Sequence, residues 1–303
     1  MKKLFRPGKF ESLMFNGFNA VFMILLMVVT LYPFINTLAV SFNESQDTLR
    51  GGIYLLPRAF TLKNYVAIFS GGTLVNAFFI SVARTVLSTI LNIFLTAMLA
   101  YALSRTEYVF RKFITTVFVL TMYFHAGLIP VFFLMKGLGL INNFMVYIIP
   151  TLISAFNLIV IRTYIRTIPE SMIESAKMDG AGEFRIFIQI IFPLCRPVLA
   201  TIALFVAVGA WNTWFDTFLY CSSKQELSTL QYELMRILYT AYAQGGSAAL
   251  GSGGLAADQA ARMVSPMSIQ AAITIIASVP ILFVYPFLQK HFVVGLNVGS
   301  VKE

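Results

Sequence analysis

Residues 167–197 read TIPESMIESAKMDGAGEFRIFIQIIFPLCRP, a long charged segment between two apolar stretches. The pattern predicts two short helices joined at a glycine. Thr167 is placed to cap the first helix, and Glu170 three residues later completes a capping box. Gly180 is predicted to end that helix, because glycine readily takes the left-handed conformation that closes many helices. The second helix is predicted to continue until Pro193 interrupts it.

The first of these helices is amphipathic. Met172, Ile173 and Ala176 fall on one face at helical spacing, while Glu174 and Lys177 are polar neighbours on another. The segment is therefore predicted to be a non-spanning loop. A hairpin that lies at the membrane interface and stabilises adjacent spans is the alternative.

The composition assigns the chain to membrane proteins. Of its 303 residues 58% are hydrophobic, 29 are Phe and only 12% are charged, against about a quarter charged in soluble proteins. A helix crosses the hydrocarbon core of a bilayer with about 20 apolar residues. We therefore count spans rather than soluble domains.

Six membrane-spanning helices are predicted, which makes the chain an all-α polytopic membrane protein. The predicted spans cover about 13–40, 73–103, 113–135, 144–161, 198–221 and 267–288. The charged loop 167–197 separates the fourth and fifth spans. A second loop, 222–266, separates the fifth and sixth, and its small residues at 245–254 predict flexibility.

The distribution of basic residues predicts the orientation. Of the 22 Lys and Arg residues, 14 lie on the side that holds the termini and the loop 167–197, and seven lie on the other side. Because basic residues concentrate in cytoplasmic loops, both termini and this loop are predicted to be cytoplasmic. The net charge of +9 then needs no nucleic-acid partner to explain it.

Several classes of chemistry have no residues to support them in this sequence. There is no GxxxxGK[ST] phosphate-binding loop, so ATP hydrolysis by this chain is not expected. No Ser-His-Asp or paired-carboxylate arrangement lies in a plausible pocket. With only two His and two Cys residues, neither a metal site nor a cofactor is expected.

The charged loop carries a family resemblance. Residues 174–176 (ESA), 179–181 (DGA) and the later Pro193 resemble the EAA loop of ABC-importer permeases, with Ser175 in place of the usual alanine. The resemblance implies the type I ABC-importer permease fold, in which this loop is cytoplasmic and its coupling helix docks on an ATPase subunit. The coupling residues that it implies are Glu170, Met172, Ile173, Glu174, Ser175, Ala176, Asp179, Gly180 and Ala181.

Other stretches resemble the carbohydrate-importing branch of that family, in particular its YtcP-like members. These stretches are residues 123–130, 137–140, 157–164, 197–205 and 211–216. The resemblance implies an ATP-driven importer of oligosaccharides, including uronic-acid-containing ones such as alginate or pectin fragments, in a bacterial cell membrane. This chain would form half of an alternating-access pathway. The implied partners are a second permease in a heterodimer, an ATPase dimer that binds ATP and Mg²⁺, and an extracytoplasmic sugar-binding protein.

Polar residues within the spans are the candidates for the substrate pathway. Unpaired charge inside a membrane is costly, so Arg84 and Asp216 are expected to face a cavity or each other. Trp211, Asn212 and Trp214 are further candidates, since sugars stack on aromatic faces and hydrogen-bond to amides. Tryptophans near the end of a span also serve as interfacial anchors, so that alternative stays open.

The outer loop has two interpretations. In maltose-type permeases the corresponding loop reaches into the binding protein, and this resemblance implies a contact segment from Tyr242 to Asp258. Its candidate residues are Tyr242, Gly245, Gly246, Ser247, Gly251 and Asp258. A passive linker is the alternative.

Two other functional classes remain to be distinguished from an importer. A membrane scaffold or assembly factor would use the charged loop for protein contacts without transport. A secondary transporter would use ion-coupling carboxylates within its spans, and only Asp216 qualifies.

Overall fold

The structure is a computed structural model that describes residues 9–70, 72–124, 126–248 and 265–297. In these ranges the chain is helical, and its only β pairing is an isolated bridge between Asn43 and Phe60. The chain divides into two compact units, Met1–Ser70 with Ile237–Ile276 and Gly71–Arg236 with Ala277–Glu303. The prediction of a helical chain is thus confirmed over the residues described.

The first unit begins with a long apolar helix. Its N-terminal helices are α1 (Lys9–Ser41), α2 (Ser45–Leu49) and α3 (Lys63–Ser70). Apolar side chains of α1 are exposed from Met14 to Leu38. The chain that follows is held by Asn64, whose amide donates to the carbonyl oxygens of Ser41 and Asn43 at 2.8 and 2.9 Å.

The second unit is built around one central helix, α4 (Thr73–Ser104). The helices after it are α5 (Arg111–Tyr123), α6 (Leu128–Gly137), α7 (Ala155–Ile165), α8 (Glu170–Met178), α9 (Glu183–Ile186), α10 (Phe192–Leu194), α11 (Arg196–Asn212) and α12 (Phe215–Tyr220). Short 3₁₀ turns lie at Phe144–Tyr147, Ile149–Thr151 and Gln225–Leu227, and a π turn at Phe187–Ile191 joins α9 to α10. Two helices complete the chain, α13 (Leu230–Ala248) and α14 (Pro266–Asn297).

The core of the second unit forms where α7 and α11 pack along α4. The central helix presents small residues there, with Ala97 and Ala100 at 2% and 0% exposure. Small side chains allow close approach of helix backbones, which is the usual basis of helix packing in membranes. Larger aliphatic residues fill the remaining space, among them Leu103, Leu158, Ile161, Leu199 and Ile202.

Two of the described helices are long and apolar enough to cross a membrane unbroken, Met14–Ser41 and Thr73–Ser104. Two further spans arise if bent pairs are each counted as one: Phe144–Thr151 with Ala155–Ile165, bent by 47°, and Glu183–Leu194 with Arg196–Asn212, bent by 79°. Shorter apolar helices lie at Leu128–Gly137 and Met267–Phe283. Six spans therefore remain a prediction.

Three predicted spans are interrupted rather than continuous, the one over 144–161 by the 47° bend between Thr151 and Ala155. The helix expected over 113–135 stops at Tyr123, because Phe124 is extended (φ −112°, ψ 117°), and resumes at Leu128 after Gly127, whose φ is +84°. The helix expected over 198–221 stops at Asn212, where Thr213 is extended, and resumes at Phe215. Side-chain periodicity does not report such breaks, since the flanking residues stay apolar.

The prediction of a flexible loop over 222–266 is wrong for most of its first half. Leu230–Ala248 is the helix α13, and Gly245 and Gly246 lie inside it. Its sequence LQYELMRILYTAYAQ is rich in the good helix formers Leu, Glu, Met, Arg and Ala, and these outweigh the two glycines that follow.

Candidate functional site

The turn between α8 and α9 closes in the predicted way. Gly180 has a φ of +79°, the left-handed conformation. Its N–H donates to the Lys177 carbonyl at 3.0 Å, and the Ala181 N–H donates to the Ala176 carbonyl at 2.9 Å. This pair of bonds is a Schellman motif, which satisfies carbonyl groups that a helix end would leave unpaired.

The beginning of α8 differs from the prediction. The helix begins at Glu170 with Pro169 at the cap position, and no side chain bonds to the cap. The Thr167 hydroxyl instead donates to the Tyr164 carbonyl at 2.8 Å, the end of the preceding helix α7. Thr167 therefore belongs to the end of α7, because it lies two residues before Pro169, the cap position of α8.

The predicted coupling residues divide between two faces of the loop. Ile173 is only 2% exposed and packs in the chain's own core, and Ala176 and Ala181 pack against that core. The remaining predicted residues are exposed: Glu170, Met172, Glu174, Ser175, Asp179 and Gly180. Ile173 thus anchors α8 to its own chain and does not offer its side chain to a partner, which corrects its place in the predicted set.

Two large apolar side chains that the sequence did not single out are exposed on the loop. Met178 is 88% exposed and Phe184 is 64% exposed, on either side of the Gly180 turn. Exposed apolar side chains that lie close together often mark protein contacts. The helix pattern of α8 places Met178 beyond its apolar face, so sequence periodicity gave no signal for it.

An ionic clamp fixes the two short helices to each other and to the turn after α4. Lys177 Nζ lies 2.8 Å from Glu183 Oε1 and 3.4 Å from Glu107 Oε1. The Tyr101 hydroxyl, on α4, donates to Glu183 Oε2 at 2.5 Å. We call Tyr101, Glu107, Lys177 and Glu183 the loop clamp. Of these residues only Lys177 was noted in the sequence.

The ion pair of the loop clamp shifts the pKa values of the two groups that form it. Lys177 and Tyr101 donate to the Glu183 carboxylate and hold its pKa below the usual range. The same ion pair raises the pKa of the Lys177 ammonium group. Both groups are therefore charged over a wide pH range around neutrality.

A cavity of about 450 Å³ lies between the loop and the end of α4. Its lining includes Tyr101, Arg105, Lys177, Glu183 and Phe184. The guanidinium of Arg105 stacks over the Tyr101 ring at 5.3 Å. The loop is thus braced against α4 by charged and aromatic side chains, with an open recess beside the brace.

Arg84 and Asp216 contact each other, as their cost inside a membrane predicted. Arg84 Nη2 donates to Asp216 Oδ2 at 2.5 Å, and Nη1 donates to the Thr213 carbonyl at 3.0 Å. The guanidinium also lies 4.7 Å from the centre of the Tyr147 ring. The Arg84 side chain is 2% exposed and Asp216 is 29% exposed, so only the carboxylate reaches the surface of the chain.

The other predicted pathway residues do not join this pair. Trp211 is buried, and its indole N–H donates to the Ala277 carbonyl at 2.9 Å. Asn212 is exposed, and Trp214 is half-buried in edge-to-face contact with Phe215 at 5.7 Å. Trp211 is therefore a packing residue whose only polar atom is already used.

The predicted binding-protein contact residues are described incompletely. Tyr242, Gly245, Gly246 and Ser247 lie in α13, but their side chains fall outside the described part of the structure. Gly251 and Asp258 lie outside the described residues altogether. Among the residues that are described, no cluster of His, Cys, Asp and Glu could hold a metal ion.

The second unit thus combines interrupted apolar helices with a charged two-helix loop. A family model described as the binding-protein-dependent transport system inner membrane component matches residues 63–297. The chain belongs to this family.

Named relatives cover nearly the whole chain. It is 36% identical over 283 residues to the polygalacturonan/rhamnogalacturonan transport system permease protein YtcP of Bacillus subtilis, covering 93% of this chain and 96% of that protein. It is 35% identical over 291 residues to Protein LplC of the same organism, covering 95% of each.

A solved structure matches the fold as well. It is a chain of a bacterial ABC transporter involved in the import of the acidic polysaccharide alginate, with a TM-score of 0.82, 27% identity, and coverage of 96% of this chain and all of that one. Permease subunits of ABC transporters are non-catalytic, and ATP hydrolysis occurs in a partner ATPase. The family also implies a substrate-binding protein as a partner.

Proposed function

We propose that this chain is the permease subunit of an importer of acidic oligosaccharides. Coupling to a partner ATPase is supported by the loop itself, in which a Schellman turn at Gly180 and the loop clamp make a rigid projection. The substrate class is supported by the relative named for polygalacturonan and rhamnogalacturonan and by the structural neighbour named for alginate.

The proposed topology has six spans, with both termini and the loop 167–197 in the cytoplasm. The two unbroken helices and the bent pair Phe144–Thr151 with Ala155–Ile165 support three of these crossings. Helices α11 and α12 supply the fifth span in this proposal. The broken third span and the helix Met267–Phe283 supply the other two in this proposal. The excess of basic residues on the side of the loop 167–197 supports its placement in the cytoplasm, where ATP is available.

The exposed side chains of the loop form the proposed contact with the ATPase. Met172, Met178 and Phe184 offer apolar surface, while Glu170, Glu174 and Asp179 offer charge around it. Ile173 ties that surface to the core of the second unit. Closure of two ATP- and Mg²⁺-bound ATPase subunits would displace the loop as one body, and α7 and α11 would move with it.

A second permease completes the translocation pathway in this proposal, as a heterodimer with this chain. The extracytoplasmic sugar-binding protein delivers the oligosaccharide, and the segment from Tyr242 to Asp258 is proposed to contact it. Deletion of residues 245–254 should then lower uptake while leaving assembly unchanged. Unchanged uptake would leave the segment as a linker.

Co-purification tests the coupling part of the proposal. The chain should be purified in detergent from cells that also express the second permease and the ATPase, as wild type and as Gly180→Trp. We expect the ATPase to accompany the wild-type chain, and to be lost or to lose its stimulation by binding protein in the variant. If no ATPase accompanies the wild-type chain, the scaffold interpretation replaces the importer.

A further inference from the structure

A stripe of buried polar residues runs along α4, although this helix is otherwise apolar. Its members recur every three or four residues, which places them on one face, and each is at most 2% exposed: Ser81, Arg84, Ser88, Asn92 and Thr96. We call this set the polar stripe. Polar groups inside a membrane are costly unless they find partners, so such a stripe needs a physical reason.

One pair of stripe residues bonds to the break between the 3₁₀ turns and α7. The amide of Asn92 donates to the Thr151 carbonyl at 2.6 Å, and the Thr96 hydroxyl donates to the Leu152 carbonyl at 3.5 Å. These carbonyls lie where the helical path bends by 47°. At such a break the backbone loses intrahelical partners that lipid cannot replace.

Arg84 serves the break between α11 and α12 in the same way. Its guanidinium donates to the carbonyl of Thr213, the residue that ends α11, and to the carboxylate of Asp216 in the first turn of α12. One planar donor thus joins the two sides of the interruption. Arginine suits this geometry because its donors form a rigid fork.

Ser81 bonds to the beginning of a third element. Its hydroxyl oxygen accepts from the backbone N–H of Leu230, the first residue of α13, at 2.8 Å. The first N–H groups of a helix have no partner within it. Ser81 therefore supplies the acceptor that the start of α13 lacks.

Ser88 differs from the rest of the polar stripe. Its hydroxyl donates to the Arg84 carbonyl of its own helix at 2.6 Å. It joins α4 to no other element through that bond. Ser88 is therefore a matched internal control for the residues that do.

We infer that Arg84, Asn92 and Thr96 of the polar stripe position the breaks of two neighbouring spans, and that transport depends on those breaks being held in place. Arg84 then acts on backbone at the break and not on the substrate. Non-helical backbone at membrane depth occurs only where protein or water satisfies it, and such broken helices surround transported molecules in other membrane transporters. The inference rests on the proposed function, because it assigns these residues a role in uptake.

The test uses the complete transporter in proteoliposomes, with ATP inside the vesicles and binding protein outside. Initial uptake of a labelled oligogalacturonide and of a neutral oligosaccharide is measured as maximal rate and KM. The variants are Asn92→Leu, Arg84→Leu, Arg84→Gln combined with Asp216→Asn, and the control Ser88→Ala.

We expect Asn92→Leu and Arg84→Leu to lower the maximal rate by about tenfold with little change in KM, since each removes the side-chain donor to a backbone carbonyl at a helix break, that of Thr151 or Thr213. Ser88→Ala should match wild type. The double amide variant should recover most of the rate lost in Arg84→Leu, because glutamine can still donate to the Thr213 carbonyl and asparagine removes the unpaired carboxylate. Recovery of the maximal rate by this uncharged pair would show that Arg84 acts by positioning the break and not through its charge.

If wild-type uptake is intact, either of two results would overturn the inference. One is an Asn92→Leu rate equal to that of Ser88→Ala. The other is a selective rise in KM for the acidic substrate in the double amide variant, which would make Arg84 a substrate-binding cation. If Asn92→Leu fails to assemble, the inference is tested by comparing the maximal rate of Arg84→Leu with that of the double amide variant. Absence of ATP-driven uptake in wild type would instead refute the proposed function.

Discussion

Lys177 Nζ lies 2.8 Å from Glu183 Oε1 across the Gly180 turn, so the two short helices of the charged loop are bonded at the point where the chain reverses. The same ammonium group lies 3.4 Å from Glu107 Oε1, on the turn that follows α4. One side chain thus joins three segments. A force applied to the exposed side of the loop would reach α4 through this contact as well as through the core.

Replacing Lys177 by methionine should uncouple ATP hydrolysis from uptake while costing little stability. The ion pairs are partly exposed, and such pairs contribute roughly 0.2–1 kcal/mol each. We expect assembly to be normal and uptake per ATP to fall severalfold. Arg185→Met is the matched control, because exposed Arg185 bonds to Gln189, within its own turn of chain, at 3.0 Å. Equal coupling ratios in the two variants would contradict the role of the clamp.

Replacing Gly180 by alanine tests the turn through its backbone alone. A Cβ at Gly180 would meet no atom within 4 Å, but its φ of +79° costs about 1 kcal/mol for a residue with a side chain. The unfolding temperature of the purified complex and the uptake per ATP hydrolysed should both decline. Gly182→Ala should be neutral, since Gly182 has a φ of −74° and equally open space. If Gly180→Ala matched Gly182→Ala in unfolding temperature and in uptake per ATP, the left-handed conformation of residue 180 would not matter for stability or coupling.

The exposed methionine and phenylalanine of the loop should matter for partner binding. We expect Met178→Glu and Phe184→Glu each to reduce the amount of ATPase that co-purifies, because a charge in an apolar contact must be desolvated. Leu56→Glu serves as a control, as Leu56 is 78% exposed in a segment predicted to lie on the opposite side of the membrane. Full ATPase recovery with both loop variants would move the docking surface elsewhere.

The loop clamp predicts a pH dependence of stability on the acid side. The pKa of Glu183 is lowered from 4.5 in the folded protein, chiefly by Lys177 and then by Tyr101. Its stabilising contribution is therefore complete above about pH 4.5 and disappears as pH falls through the folded pKa. The raised pKa of Lys177 keeps the partner charged to above pH 10.5. The difference in unfolding temperature between wild type and Glu183→Gln should be constant from about pH 5 to 9 and shrink on acidification. A difference that does not change below pH 4.5 would argue against the ion pair.

Trp211 should behave as a packing residue. Trp211→Phe removes the donor to the Ala277 carbonyl and should destabilise the complex by roughly 1–3 kcal/mol. The KM for oligosaccharide should stay near that of wild type in the fraction that assembles. A large rise in KM without loss of stability would restore Trp211 to the substrate pathway.

Local sequence rules predicted the features that depend on one residue or on one energetic cost. The left-handed Gly180 follows from glycine's freedom in φ, and the pairing of Arg84 with Asp216 follows from the cost of lone charge in a membrane. The amphipathic pattern of α8 correctly joined Ile173 to an apolar face. It did not tell whether that face packs inward or on a partner.

Apart from the Arg84–Asp216 pair, contacts between distant segments could not be predicted from the sequence. The hydrogen bond from Tyr101 to Glu183 joins residues 82 positions apart, and that from Arg84 to Thr213 joins residues 129 apart. The helix break near Thr213 involves one of these contacts, whereas Gly127 and Pro130 are themselves local signals of a helix break. The polar stripe of α4 was visible as serines, an asparagine and a threonine, yet its partners appear only once the broken helices are in place.

The most direct measurement is ATP-driven uptake of a labelled oligogalacturonide into proteoliposomes that contain this chain, the second permease and the ATPase. We expect uptake that requires ATP inside and binding protein outside, that favours acidic over neutral oligosaccharides, and that falls in Lys177→Met while ATP hydrolysis continues. ATP hydrolysis by an assembled complex without uptake of any oligosaccharide would contradict this expectation.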